Sequence, residues 1–205
     1  MNKDKNIEYE LPEQKVWEVR EPSAEYKVEQ KFTYEDYCTW SDDERWELID
    51  GKAFRMEAPN RYHQKISMNL AGELYLHLKG NKCEVYAAPF DVRLNVGEGS
   101  DTVVQPDIMV FCDREVLDEI GAKGAPDLVI EILSPSTRDK DCTVKLKKYK
   151  QHGVKEYWVV DPLYEIVTIY LLEIDDVTTY LDNSVVDSTI LQGFAISQKD
   201  VFADD

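Results

Sequence analysis

A glutamate inside an otherwise apolar run constrains this 205-residue chain more than any other feature. Residues 128–133 read Leu-Val-Ile-Glu-Ile-Leu, which is typical of a short strand buried in a sheet. A buried carboxylate needs a positively charged partner, a metal ion or a proton. The run therefore predicts an inner strand that carries Glu131 into an internal polar site. An ordinary buried salt bridge, or exposure at the strand end, is the alternative.

Three patterns define the first half of the fold. Residues 33–39 begin with the Thr-x-x-Asp capping pattern, which predicts a short helix. Asp50-Gly51 lies between two short apolar runs and predicts a β-hairpin. Apolar residues at spacings of four predict an amphipathic helix over 60–80. Its apolar stripe consists of Ile66, Leu70, Leu74 and Leu78, widened by Met68, Ala71 and Leu76.

The remainder of the chain combines short β-branched runs with one basic helix. Ser136 is a suitable N-cap for a helix that runs to about His152. The order of elements predicts an α/β (α+β) fold with a mixed β-sheet core flanked by helices. Residues 1–30 are polar and acidic and form a predicted extension, and 31–205 form a single domain. Further strands are predicted at 85–87, 91–94, 108–111, 128–133, 157–160, 166–172 and 177–181.

Charge is distributed unevenly along the chain. There are 24 Lys and Arg against 41 Asp and Glu, a net charge of -17, which argues against a protein that coats nucleic acid or an anionic membrane. Residues 138–155 are the exception, with seven basic and two acidic side chains. This segment directly follows the strand that carries Glu131, so we expect a polyanion to be bound there through local contacts.

Several classes of protein are excluded. The longest apolar stretch, 166–172, is much shorter than the roughly 20 residues that span a membrane. The N-terminal residues lack the apolar segment of a secretory signal, so we expect a cytoplasmic protein. Cys38, Cys83, Cys112 and Cys142 lack the short spacing of a zinc site, and we expect them to be reduced.

Two more acidic residues lie at predicted strand positions. Asp107 follows Gln105-Pro106 and begins the run 108–111, and Glu47 lies just before the predicted hairpin. Carboxylates from neighbouring strand ends form an oxygen-rich site that suits Mg²⁺ or Mn²⁺ better than Zn²⁺. Each residue also has an ordinary interpretation, a Pro-Asp turn for Asp107 and a half-exposed strand position for Glu47.

A lysine on the basic helix is able to reach this site. Asp141, Lys145 and Tyr149 are spaced by four residues and share one helix face, so Lys145 can bring an ammonium group to the carboxylates. Lys148, one turn away, is a substitute candidate. A solvated helix face is the alternative for any single lysine of this segment.

In combination, these residues resemble the Uma-type restriction endonucleases, a branch of the PD-(D/E)XK nuclease superfamily, over roughly residues 33–200. The matching motifs are 47–51, Ala58-Pro59 with His63, 105–108, 126–137, Asp141, Lys145, Tyr149 and 153–162. The resemblance implies that Asp107 and Glu131 bind a metal and that Glu47 is a further acidic site residue. It also implies that Lys145 replaces the lysine that the superfamily usually has at the position of Leu133. Residues implied to line the cleft or contact DNA are His63, Gln105, Asp141, Lys148 and Tyr149, and for His63 a helix-capping role is the alternative.

The resemblance implies a Mg²⁺- or Mn²⁺-dependent endonuclease that hydrolyses DNA phosphodiester bonds. DNA is the expected partner and no membrane is involved. Homodimerisation through the strands after Tyr157 is expected, because cleavage of both DNA strands commonly needs two sites. Two other functions stay open: a noncatalytic interaction module with the nuclease fold, which the net charge favours, and a hydrolase of a smaller phosphorylated substrate.

Overall fold

A computed structural model describes residues 30–41 and 43–204. The extension predicted for residues 1–30 lies outside the described residues except for its last position. The helical elements are α1 (Tyr34–Tyr37), α2 (Arg61–Leu78), a 3₁₀ turn (Arg114–Val116), a π-helical segment (Lys140–Lys145), α3 (Leu146–Gln151) and α4 (Gln198–Val201). The strands are β1 (Trp46–Ile49), β2 (Lys52–Arg55), β3 (Glu84–Ala87), β4 (Val92–Arg93), β5 (Val103–Val104), β6 (Ile108–Phe111), β7 (Leu117–Asp118), β8 (Gly121–Ala122), β9 (Leu128–Ile132), β10 (Glu156–Asp161), β11 (Ile166–Leu171), β12 (Asp176–Tyr180), β13 (Val185–Asp187) and β14 (Ala195–Ser197).

A six-stranded mixed sheet forms the centre, in the order β12-β11-β10-β9-β6-β3. Strands β9 and β10 are parallel, and the other neighbours are antiparallel. Both faces of the inner strands are buried, which explains why β9 and β10 read as nearly continuous apolar runs. The predicted α+β fold with a mixed sheet and flanking helices is confirmed.

Helix α2 covers one face of the central sheet. Asn60 caps it by accepting a hydrogen bond from the His63 N–H, and the buried stripe consists of Ile66, Leu70, Leu74 and Leu78. The prediction that Met68 and Leu76 widen this stripe is wrong, because their side chains are 67% and 66% exposed. The hairpin β13–β14 and α4 complete the same core layer.

A second six-stranded sheet, β2-β1-β5-β4-β8-β7, lies over the opposite face. Its β1–β2 hairpin turns at Asp50 and Gly51, whose φ angles of 52° and 77° lie in the left-handed region. The predicted Asp-Gly hairpin is confirmed. Strands β5, β7, β8, β13 and β14 are not evident from the sequence, because runs of two or three residues show too little periodicity.

The cysteine prediction is partly wrong. Cys83 and Cys112 form a disulfide, while Cys38 and Cys142 are free thiols. The antiparallel register pairs Glu84 with Phe111, so the next residue on each strand is a cysteine facing the other. This proximity depends on strand pairing between residues 29 positions apart, which cysteine spacing alone does not indicate.

The basic segment differs from the continuous α-helix predicted for 136–152. Residues 134–137 form a hydrogen-bonded turn, 138–139 are α-helical, Lys140–Lys145 are π-helical, and Leu146–Gln151 return to α-helix. Gly153, with φ of 86°, ends the segment as expected. Across the described ranges, no helix is both long and apolar enough to cross a membrane.

Candidate active site

Two carboxylates meet at the ends of neighbouring central strands. The β6–β9 register pairs Ile108 with Ile130, which places Asp107 opposite Glu131. Asp107 Oδ2 accepts a hydrogen bond of 2.8 Å from the Ile132 N–H, which fixes the Asp107 side chain against β9. The side chain of Asp107 is 21% exposed, whereas that of Glu131 is only 4% exposed.

The Glu131 carboxylate is held on one side only. Its Oε1 accepts hydrogen bonds from Lys145 Nζ (2.8 Å) and Tyr149 Oη (2.6 Å). Burial raises the pKa of Glu131 to about 8, with the neighbouring carboxylates acting in the same direction and Lys145 opposing them. Burial followed by the Glu131 charge raises the pKa of Tyr149 well above its usual value, which keeps its hydroxyl as a donor.

Glu47 reaches the same cluster from the second sheet. Its side chain is fully buried, and Oε1 lies 2.6 Å from Lys145 Nζ and accepts a 3.0 Å hydrogen bond from the Gln105 N–H. Its Oε2 lies 2.5 Å from Lys140 Nζ. Burial alone would raise the pKa of Glu47, but Lys145 and Lys140 lower it below its usual value. Glu47 is therefore a charged group that positions two lysines.

Lys145 lies at the centre of the buried carboxylates. Besides Glu47 and Glu131, Asp141 Oδ1 lies 3.6 Å from its Nζ. Burial opposes the ammonium, but the three carboxylates raise the pKa of Lys145 well above its usual value. Burial raises the pKa of Asp141, whose Oδ1 has no hydrogen-bond partner among the described residues. Position 133 on the strand is a buried leucine rather than a lysine. The ammonium beside Glu131 therefore comes from Lys145, in the π-helical segment.

His63 extends from α2 to the Asp107 side of the site. Its Nε2 lies 2.9 Å from the Ile132 carbonyl oxygen and 3.3 Å from Asp107 Oδ2. Both neighbours are acceptors, so Nε2 carries the proton, and Nδ1 is buried without a partner in the described chain. Burial disfavours the imidazolium, but the hydrogen bond to Asp107 outweighs it and raises the pKa of His63.

These groups line a cleft of about 620 Å³. The lining contains six carboxyl groups and four Arg or Lys side chains, a formal charge of -2 with neutral histidine. Cleft carboxyl groups are Glu47, Glu57, Asp107, Glu131, Asp141 and Asp161, and the cations are Arg45, Arg138, Lys140 and Lys145. This excess of carboxyl groups favours a bound cation over direct contact with a phosphate.

Most of the basic segment 138–155 is neutralised by ion pairs. Six of its seven basic side chains have a carboxylate within 4 Å, and Lys147 is the exception among the described residues. Lys148 pairs with Asp50 and does not line the cleft, so the structure does not bring this substitute candidate to the site. The segment therefore supports the site's geometry more than it offers free positive charge.

Two residues of the site have little local signal in the sequence. Lys140 is one basic residue among seven in its segment, and its contact with Glu47 joins residues 93 positions apart. Arg45 directly precedes β1 and donates to Gln105 Oε1, 60 positions away. Gln105 thus contributes its N–H to Glu47 and its side chain to Arg45.

The donor set fits a hard divalent cation. Asp107 Oδ1 and Glu131 Oε2 have no hydrogen bond from a described residue, and both side chains line the cleft. Over the described ranges, no three His, Cys, Asp or Glu side chains converge as a complete metal site. Two carboxylates with water as the remaining ligands are a usual arrangement for Mg²⁺.

Comparisons with known proteins place the chain among relatives of similar sequence and fold. Two uncharacterized proteins of Synechocystis sp. (strain ATCC 27184 / PCC 6803 / Kazusa) are similar: slr1290 is 27% identical over 152 residues, covering 73% of this chain and 77% of the relative. The other, sll1609, is 26% identical over 121 residues, covering 58% of this chain and 67% of the relative.

A solved structure and a family model cover more of the chain. The crystal structure of a "putative nuclease belonging to DUF820" from Anabaena variabilis ATCC 29413 aligns with a TM-score of 0.68 at 23% identity, over 83% of this chain and 97% of that chain, a likeness of fold. The family model described as "Uma2: Putative restriction endonuclease" matches residues 33–199. The chain therefore belongs to the Uma2 family of restriction-endonuclease-like proteins.

Proposed function

We propose that this protein is a Mg²⁺- or Mn²⁺-dependent endonuclease that hydrolyses DNA phosphodiester bonds. The observation that carries the proposal is the pairing of Asp107 with Glu131 at one end of the central sheet, each with one carboxylate oxygen free and with Lys145 Nζ 2.8 Å from Glu131. Family membership supports the nuclease class.

In this proposal Asp107 and Glu131 hold the cation through their free oxygens. A divalent cation, when bound, supplies Lewis acidity to the phosphate and to the attacking water. Lys145 places a positive charge beside Glu131, where it orients the water or stabilises negative charge that develops on the phosphate. Tyr149 and the Ile132 N–H fix the rotamers of the two carboxylates, and Glu47 fixes Lys145.

Nicking of supercoiled plasmid DNA in Mg²⁺ or Mn²⁺ tests this proposal. We expect Asp107→Asn and Glu131→Gln to lower the nicking rate at least about 100-fold, as expected for loss of a group that stabilises transition-state charge. Both substitutions keep an oxygen able to accept the existing hydrogen bonds, so folding should be preserved. Nicking by both variants at the wild-type rate would refute the assignment.

Asp127 provides a matched control. It also follows a proline, and its Oδ2 accepts a 2.7 Å hydrogen bond from the Cys112 N–H, as Asp107 accepts one from Ile132. Asp127 does not line the cleft. Asp127→Asn should therefore retain wild-type nicking, and a loss equal to that of Asp107→Asn would point to a structural effect.

Hydrolysis of a smaller phosphorylated substrate is a second candidate. The ion pairing of six basic side chains in 138–155 favours it, because little free positive charge is left for a long polyanion. Turnover of bis(p-nitrophenyl) phosphate without nicking of DNA, sensitive to Asp107→Asn, would select this candidate.

A further inference from the structure

We infer that Arg45 binds a phosphate group of the substrate in the cleft, with Gln105 as the residue that orients its guanidinium. The inference rests on the proposed function, since it concerns the substrate of the same site. Arg45 lines the cleft together with Asp107 and Glu131. Neither the sequence motifs nor the geometry of the carboxylate cluster assigns it a role.

Arg45 differs from every other arginine of the described chain. The other five each have a carboxylate within 4 Å, whereas Arg45 has none among the residues that the structure describes. It is also the exception among the cleft cations, because Arg138, Lys140 and Lys145 are all ion-paired. A half-buried guanidinium that has no carboxylate within 4 Å among residues 30–41 and 43–204 is available for an anionic ligand.

The guanidinium is held by a neutral group that leaves part of it free. Arg45 Nε and Nη2 donate to the single acceptor Gln105 Oε1, at 3.0 and 2.8 Å. Nη1 has no hydrogen bond to a described residue, so the edge formed by Nη1 and the second proton of Nη2 still offers parallel donors. Two such donors match two oxygens of one phosphate.

The orientation of Gln105 follows from chemistry. A guanidinium only donates, so the amide oxygen must face Arg45. The amide nitrogen then donates to Asp91 Oδ1 (2.8 Å) and Tyr37 Oη (3.3 Å), which fixes the side chain from the far side. Because the Gln105 N–H also donates to Glu47, one residue sets both the guanidinium and the buried carboxylate cluster.

Binding of a fluorescent DNA duplex tests the inference, measured by anisotropy in Ca²⁺ over a series of salt concentrations. Arg45→Ala should weaken binding about tenfold and reduce the slope of log affinity against log salt by about 0.9, as expected for one lost phosphate contact. Arg45→Lys keeps the charge without the paired donors, so it should keep the slope and lose affinity about threefold. Gln105→Glu supplies a counterion to Arg45 and should weaken binding like Arg45→Ala.

Arg55 is the matched control. It lies on the same hairpin, opposite Trp46, is paired with Glu44 and does not line the cleft. Arg55→Ala should leave affinity and salt slope unchanged. Thermal unfolding with and without Mn²⁺ gives a second readout, because Arg45→Ala should retain the Mn²⁺-induced stabilisation of the wild type.

The outcomes separate this inference from the proposed function. Unchanged affinity and slope in Arg45→Ala, with Asp107→Asn inactive in nicking, would overturn the role of Arg45 and leave the nuclease proposal intact. Weakened binding in Arg45→Ala, with full nicking by Asp107→Asn, would support the role of Arg45 and overturn the carboxylate mechanism. A wild-type protein that does not bind DNA would overturn both.

Discussion

The charge balance of the buried cluster depends on one side chain, Lys145. Glu47, Glu131 and Asp141 all approach its ammonium, and all four side chains are at most 4% exposed. Carboxylates at this depth are stable only if a cation or protons compensate them. We therefore expect Lys145 to stabilise the fold as well as to serve the proposed chemistry, and the two roles need different measurements.

Lys145→Met should lower the free energy of unfolding by about 3–5 kcal/mol, because it leaves buried carboxyl groups without their ammonium. Tyr149→Phe, which removes one hydrogen bond to the same Glu131 oxygen, should cost only about 1–2 kcal/mol. Urea denaturation of both variants in EDTA measures the difference. Equal losses would mean that the ammonium contributes no more than a hydrogen bond.

Asp141 makes stability depend on pH. Burial raises its pKa in the folded state, so above the usual value near 4 the folded protein retains a proton that the unfolded chain releases. Its contribution to stability is therefore greatest below that value and is lost as pH rises through the raised pKa. Asp141→Asn should gain free energy of unfolding relative to wild type as pH increases from 4.5 to 7.5. Parallel pH profiles in urea denaturation would contradict this.

At the level of elements, the π-helical segment gives the site its second lysine. A π-helix hydrogen-bonds residues five apart, so Lys140 and Lys145 fall one turn apart and both reach Glu47. In an α-helix of 3.6 residues per turn the two side chains would point roughly 140° apart. The π geometry is therefore the reason that both oxygens of Glu47 are paired.

Deletion of Val144 should convert this segment to an α-helix. The change would rotate Lys140 and Asp141 by roughly 100° away from the cluster while α3 stays anchored. We expect a loss of about 3 kcal/mol in unfolding free energy, because the buried Glu47 Oε2 loses its Lys140 partner, and a nicking rate at least about tenfold lower. Val144 is 38% exposed, so Val144→Ala is a suitable control and should behave like wild type in both assays.

These elements show what a sequence can reveal about such a site. Asp107 and Glu131 stand out because each lies within or beside a short apolar run, a signal confined to neighbouring residues. The roles of Lys140 and Arg45 depend on partners 93 and 60 residues away, and the π geometry has no periodic signature in the basic segment. Pairing between distant strands likewise determines the Cys83–Cys112 disulfide.

For the whole molecule, the homodimer expected from the sequence stays a prediction. Strand β12 is the edge of the central sheet, and Ile174 and Val177 beside and within it are 71% and 54% exposed. If two copies pair there, Ile174→Lys with Val177→Lys should convert a sedimenting dimer to a monomer. Met68→Lys, at an equally exposed apolar position on α2, should not. A wild-type monomer at micromolar concentration would contradict pairing.

The overall charge predicts how DNA affinity responds to cations. With a net charge of -17 and a formal charge of -2 in the cleft, we expect the protein to repel a phosphate backbone unless a divalent cation is bound between them. DNA affinity should therefore increase at least about tenfold when Ca²⁺ replaces EDTA, and its salt slope should correspond to only about one to three phosphate contacts. Asp107→Asn, which lacks one of the proposed cation ligands, should lose most of this gain. Equal affinity of the wild type in EDTA and in Ca²⁺ would show that the protein binds DNA through a surface other than this cleft.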